Sequence, residues 1–510
     1  MNGPTLVALK TSTVAAAVAC TALTSPVVAA NPDATSCAKL ASTRGFRNTR
    51  IDSSREVAAN EAAGLPAYCE VTGTITPVQG SRIGVVYRLP DGWNGKMLSL
   101  GGGGWAGNVR IEAAVAGLSR GYATAQTDAG HDPGNVWDTS FAANPESLVD
   151  FSYRGIHEMT RLGKEIIARF YGHPQARAYF QGCSTGGRQG LMEVQRFPTD
   201  YNGVISGAPV YNLLTQTSAL LRNQAFGVPG AALSPAQLER LNEASLASCD
   251  AQDGLKDGII TDPRKCNFDP VELQCAQSSP SPDCLSPAQV AAVRAVYAGE
   301  RTAGGWTASY PLSRGGEAGW SRFIVVAPTP GTRPGTGDPG GGLGGLRAVM
   351  FGDPGYDLTA FNAERDLKTV RTSAFAGMYE AGNPDIAAFI QQGGKLILWH
   401  GFDDPGPSPL GTIEYYEDVQ RTTGPKIASL ASSVRLFIAP GVYHCRGGPG
   451  ADQFDALAAL DDWIENGHPP ERIIAKRQDG RLSRPLCSYP SLPYYKGSGD
   501  PNDAGSFECR

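Results

Sequence analysis

From about residue 80 to residue 210 the chain alternates short apolar runs with stretches of helical spacing. Residues 83–89, 97–100, 122–127, 178–181 and 203–206 each read as a strand, and residues 156–170 carry apolar positions at the helical period. Such alternation predicts a mostly parallel sheet with helices on both faces. It stops near residue 211. Sheet character returns at residues 395–399 and 434–439, and a helix follows with Phe454, Leu457, Leu460 and Ile464 on one face and Gly467 as its stop. The intervening residues, 211–385, read as an inserted lid. There Ser234-Pro235-Ala236-Gln237 and Ser286-Pro287-Ala288-Gln289 each supply an N-cap serine, a proline at the first helical position and a glutamine at the third. Four cysteines fall in the same span, and residues 331–345 are too glycine-rich to pack. The expected division is a core in two parts, 31–210 and 386–510, around that lid.

Composition narrows the class. The formal net charge is −5 over 510 residues and no basic run occurs, which argues against nucleic acid as a partner. The N-terminus reads as an export signal: Lys10, then a small-residue apolar run over 14–23, then Val28-Ala29-Ala30, with cleavage expected after Ala30. That run is too short to span a bilayer, and no later segment is long and apolar enough. A rival reading acylates Cys20 as a lipoprotein, but Ala17 is a poor start for that motif. Setting Cys20 aside, ten of the 11 cysteines remain, an even set that implies disulfides in a secreted or periplasmic protein. Without a C-x2-C pair, zinc is a weak alternative.

The strongest local signal is Gly182-Cys183-Ser184-Thr185-Gly186, a G-x-S-x-G between a strand and a helical stretch. That is the context of a nucleophile turn in an α/β-hydrolase, where any side chain at the glycines would meet neighbouring backbone. Ser184 needs a base. Of the six histidines, the order serine, acid, histidine leaves 400, 444 and 468. His468 sits in a solvated turn and His400 ends a strand, whereas His444 follows the strand at 434–439. Cys183 precedes Ser184 and Cys445 follows His444, so one disulfide would tie nucleophile to base; His444 is favoured. Asp403 and Asp404 both cap the strand before it, and spacing leaves the choice open. The oxyanion donors are expected to be the Thr185 N–H and one from the glycine run 101–104. Residues 250–259 place three aspartates at short spacing among glycines, bracketed by Cys249 and Cys266, and this is either a calcium loop or a solvated acidic turn.

Together GCSTGGRQG (182–190), YNGVISGAP (201–209), CDAQDGLKDGI (249–259), HGFDD (400–404), PGVYHCRGGPG (440–450) and YKGSGD (495–500) resemble the tannase/feruloyl esterase family, which includes the mono(hydroxyethyl) terephthalate hydrolases. The resemblance implies an α/β-hydrolase with a lid, a Ser184–His444–Asp404 triad, and Gly104 with Thr185 at the oxyanion. It implies structural calcium on the Asp250, Asp253 and Asp257 side chains and the Leu255 and Ile259 carbonyls. It also implies the pairs 37–69, 183–445, 249–266, 275–284 and 487–509, that is Cys37 with Cys69, Cys275 with Cys284 and Cys487 with Cys509 beside the two pairs already noted. The proline-rich acid loop, Pro405 to Pro409, replaces an aromatic of the terephthalate subgroup, so esters of hydroxylated aromatic acids are the expected substrates (feruloyl or chlorogenate type, then galloyl, then terephthaloyl). A calcium-stabilised binding protein on an idle scaffold is the remote alternative.

Overall fold

The computed structural model describes residues 35–131, 135–276, 283–327 and 343–510, with residues 1 and 3. The expected export signal and Cys20 lie outside the described residues. Nine strands form one sheet: β1 Thr49–Val57, β2 Tyr68–Ile75, β3 Ile83–Pro90, β4 Lys96–Leu100, β5 Ala123–Thr127, β6 Arg177–Cys183, β7 Gly203–Gly207, β8 Lys395–Gly401 and β9 Val434–Ala439. Their order is β1-β2-β3-β5-β4-β6-β7-β8-β9. The six from β5 to β9 in that order run parallel, and β1, β2 and β3 extend the edge antiparallel. This is the α/β-hydrolase architecture that the alternation predicts.

Burial explains which strands form where. β5, β7 and β9 are buried at every position, as strands covered on both faces must be, while β1 is mostly polar and open to solvent. The period of two sorts the core into two layers. Phe180, Val204, Leu398 and Leu436 face one layer, covered by the Gly155–Tyr171, Thr185–Arg196 and Pro409–Thr422 helices. Tyr179, Ile205, Ile397 and Phe437 face the other, under the Ile111–Leu118 and Ala456–Asn466 helices.

The sheet leaves off at Gly207 and resumes at Lys395. Between them, both proposed helix starts form with reciprocal caps: Ser234 and Ser286 each accept the N–H three residues on, and Gln237 and Gln289 return the bond. The Pro235–Cys249 and Pro287–Ala298 helices close over a separate apolar cluster that includes Phe226, Leu241, Val293 and Trp320. Two expectations are corrected. Residues 343–345 are not loose: Leu343 is buried and opens a helix to Phe351, with residues 331–342 outside the described ones. Phe454 lies before its helix, in a two-residue strand, because Asp455 caps the helix by accepting the Ala458 N–H; its ring stands edge-on to Trp399 instead.

Arg188 joins the first part of the core to the inserted segment. It is fully buried on the Thr185–Arg196 helix, and its guanidinium donates to the carbonyls of Ser152 at 2.6 Å, Tyr379 at 3.1 Å and Phe151 at 3.2 Å. Arg188→Met keeps the volume and removes all three bonds to those carbonyls. The expected loss is about 2 kcal/mol of unfolding free energy, read from the denaturant midpoint; an unchanged midpoint would refute this role.

Candidate active site

The nucleophile turn is held in a conformation that few residues adopt. Ser184 follows the last residue of β6 at φ 64° and ψ −123°, and the Thr185–Arg196 helix starts at the next residue. Strain of this kind costs on the order of 1–3 kcal/mol. Backbone bonds fix it: the Ser184 N–H donates to Gly207 at 2.9 Å, and its carbonyl accepts from Arg188 at 3.0 Å. The glycines are there for clearance. A Cβ on Gly182 would lie 2.5 Å from the Gly186 carbonyl carbon, and one on Gly101 2.5 Å from the Gly186 Cα.

His444 arrives on the loop after β9. Its Nε2 lies 2.9 Å from Ser184 Oγ and its Nδ1 2.6 Å from Asp404 Oδ2, so the three side chains form one hydrogen-bonded run. Cys183 and Cys445 are bonded across 262 residues of sequence, immediately beside two members of that run. All five expected disulfides form. Asp404 is fully buried. Burial alone would raise its carboxyl, but the charge of His444 and the hydrogen bonds from His400 and His444 outweigh that and hold it at about 2.

Asp403 has the opposite fate, and it is no surface turn residue. It is buried, its Oδ1 has no partner, and burial together with the charge of Glu317 pushes its carboxyl well above the usual range. Its side chain packs against Gly316, away from the imidazole. Of the other histidines left by chain order, His468 is exposed, with Nδ1 3.3 Å from Asp462.

Two supporting residues had not been singled out for these roles. His400 Nε2 faces two acceptors, Asp404 Oδ2 at 3.1 Å and the Pro407 carbonyl at 3.2 Å, so Nε2 carries the proton and Nδ1 accepts from the Thr412 hydroxyl at 2.8 Å. The acid therefore receives two imidazole N–H groups on one oxygen, and its Oδ1 takes the Gly406 N–H at 2.8 Å. Arg222, from the inserted segment, grips the backbone of the same loop at Pro405 and Gly406 and reaches Tyr310. Burial lowers its guanidinium to about 10 despite the pull of Asp404. No local pattern marks Arg222, and His400 opens the HGFDD motif without any sign of this role.

Gly104 and Thr185 meet beside the serine. The Thr185 hydroxyl donates to the Gly104 carbonyl. Gly104 sits at φ 60°, and a Cβ there would strike the Val136 carbonyl at 2.1 Å. Among the described residues, neither the Gly104 nor the Thr185 backbone N–H has a partner. A pocket opens over Ser184 and His444, walled mainly by Trp105, Trp137, Val210, Phe323, Leu343 and Pro407. Phe323 stands edge-on to the His444 ring, centroids 4.9 Å apart.

In the acidic loop, the Cys249–Cys266 bond closes the ends. Asp250 accepts the N–H of Asp257, Gly258 and Ile259; Asp253 accepts the Leu255 N–H and the Thr261 hydroxyl; Asp257 takes Arg484. Burial, with added repulsion from neighbouring aspartates, raises the Asp253 and Asp257 carboxyls. The three carboxylates are not drawn to within 4.8 Å of one another. Among the described residues only His157, Glu193 and Asp200 are, and there His157 Nδ1 bonds Asp200 at 2.7 Å.

The model of the family described as tannase and feruloyl esterase matches residues 69–510. The chain is 34% identical to a mono(2-hydroxyethyl) terephthalate hydrolase of Piscinibacter sakaiensis, over 89% of this chain and 86% of that protein. It is also 34% identical to a probable feruloyl esterase of Arthroderma benhamiae, over 82% and 81%. The crystal structure of feruloyl esterase B from Aspergillus oryzae superposes with a TM-score of 0.83 at 27% identity, covering 93% of this chain and 99% of that one. With the sheet, the serine turn and the sequence likeness all in agreement, the chain belongs to the tannase and feruloyl esterase family.

Proposed function

We propose that this carboxylic ester hydrolase acts on esters of hydroxylated aromatic acids, of the feruloyl or chlorogenate kind, through an acyl-enzyme on Ser184. The observation that carries the reading is the continuous run from Ser184 through His444 to Asp404 at the floor of an aromatic pocket. In the free state Ser184 Oγ–H donates to His444 Nε2, whose Nδ1–H is held by Asp404. The oxygen attacks the ester carbonyl as its proton passes to Nε2. The resulting oxyanion is met by the Gly104 and Thr185 N–H groups. Nε2–H then protonates the departing alcohol oxygen, and a water repeats the sequence to release the acid. Asp404 stays ionised throughout, because its carboxyl is held at about 2. The paired cysteines fit an oxidising compartment, and among the described residues no helix is long and apolar enough to cross a membrane. We read the protein as exported.

Calcium on the loop from Asp250 to Ile259 belongs to the same proposal. Three carboxylates within eight residues, two of them raised by burial and mutual charge, are a donor set that a hard divalent ion would relieve. The Leu255 and Ile259 carbonyls would complete it, and the ion's part would be structural.

Three outcomes are expected. Ser184→Ala should lower kcat for methyl ferulate by at least about 10⁴-fold and abolish labelling by a fluorophosphonate; full retained hydrolysis would end the serine reading. Asp404→Asn tests the acid by linkage. A depressed carboxyl contributes stability that is complete above the unfolded value near 3.9, roughly 2 kcal/mol here, and is lost as pH falls through about 2. The stability gap between wild type and Asp404→Asn should therefore be constant above about pH 5 and narrow toward pH 3; a gap that widens on acidification contradicts it. Chelation should lower the unfolding temperature of the wild type, with about 2.7 kcal/mol at stake for an ion present at a hundred times its Kd, and Asp253→Ala should be insensitive. Equal melting with and without chelator would remove the calcium.

A further inference from the structure

Among the described residues, and apart from the reacting groups and Thr185, two polar side chains interrupt the apolar wall of the pocket: Thr215 and Gln216, at the start of the Leu214–Gly227 helix. Gln216 Oε1 is enclosed and has no hydrogen-bond partner. Its orientation follows from its neighbour. The buried Tyr379 hydroxyl donates to the Val210 carbonyl at 3.5 Å, and the Gln216 side chain lies beside it. A phenol has one proton to give. With that proton given to Val210, the amide nitrogen is the group that suits the Tyr379 side, which leaves the oxygen as the unused group. An enclosed carbonyl without a donor is unfavourable until something supplies one.

We propose that Gln216 is a specificity-determining residue whose Oε1 accepts a hydrogen bond from a phenolic hydroxyl on the aromatic acyl group. This rests on the serine-esterase reading above and sharpens it. Trp105, Trp137 and Phe323 offer ring faces and edges to an aromatic acid regardless of its substituents. Oε1 adds a demand that only a donor meets. A methoxy oxygen or a ring hydrogen leaves it unpaired, and a carboxylate sets negative charge against it. Thr215 can both give and accept, so it does not discriminate. The site thus selects hydroxyl over its O-methyl ether, a distinction that shape alone makes poorly.

The test compares wild type, Gln216→Leu and Gln216→Met on methyl esters of 3- and 4-hydroxycinnamate, their O-methyl ethers and unsubstituted cinnamate. Fluorophosphonate labelling of Ser184 reports that each variant is folded at the site. For one of the two hydroxyl positions the wild-type kcat/KM should favour hydroxyl over ether by about tenfold, the ratio one neutral hydrogen bond supplies. In both variants that ratio should fall to within about twofold. Variants that label normally and keep the wild-type ratio overturn the role of Gln216 alone, as does a wild type without any ratio. A wild type that cleaves 4-nitrophenyl acetate through Ser184 but none of the five aromatic esters overturns the substrate class itself, and this inference with it.

Discussion

The site depends on one covalent constraint, the bond between Cys183 and Cys445. Ser184 leaves the sheet at the end of β6, Asp404 after β8 and His444 after β9. Parallel strands bring all three exits to one rim, but neighbouring strands lie about 4.8 Å apart, and β6 and β9 are separated by β7 and β8. The histidine loop must reach across two intervening strands to place Nε2 at 2.9 Å from the serine. A loop of that span has no intrinsic reason to stop there. Anchoring it by the residue next to the histidine, to the residue next to the serine, removes most of the remaining freedom. The anchor also bears on the strained turn, since the positive φ of Ser184 and that of Cys445 lie at its two ends.

Within that frame the acid loop shows how two adjacent carboxylates are assigned different chemistry. Asp404 is ionised in a fully buried position because three N–H donors converge on it, from His444, His400 and Gly406. Asp403 is equally enclosed but meets Glu317, itself pushed up to about 7 by burial, rather than a donor. Environments that drive neighbouring groups apart in this way separate the carboxylate that holds His444 from the one beside it. Arg222 acts on the loop's carbonyls and not on the carboxylate, so it fixes the path of the backbone without neutralising the charge that His444 needs.

How much of this was legible follows from where each signal resides. Seven strands of the sheet could be read because burial leaves apolar runs such as Leu396–Trp399. β1 could not, since its edge position tolerates Arg50, Asp52, Ser53 and Ser54 in a row of otherwise ordinary loop chemistry. Ser184 carries a local pattern and His444 carries a neighbour, Cys445, that points back to it. Asp403 and Asp404 share every local feature; what separates them is which way consecutive side chains leave a turn, a tertiary fact. His400, Arg222 and Gln216 are invisible for the same reason, each defined by partners more than a helical turn away in sequence or by a partner it lacks. The displaced start of the last helix was avoidable, because Asp455 is a capping residue in the sequence itself.

Part of the pocket wall comes from a different stretch of chain than the reacting groups, while Trp105, Trp137 and Pro407 come from the same parts as the triad, and this has a consequence for how selectivity can vary. Ser184, Asp404 and His444 stand on strand ends whose positions are fixed by the sheet. Thr215, Gln216, Phe323 and Leu343 stand on the segment between β7 and β8, which closes over an apolar cluster of its own. Substitutions there reshape the wall while leaving the rim untouched. The separation is incomplete at two points. Phe323 rests edge-on against His444, and Arg222 holds the acid loop. Those two contacts couple the segment between β7 and β8 to His444 and to the Asp404 loop, whereas Gln216 lines the pocket and is bonded to neither.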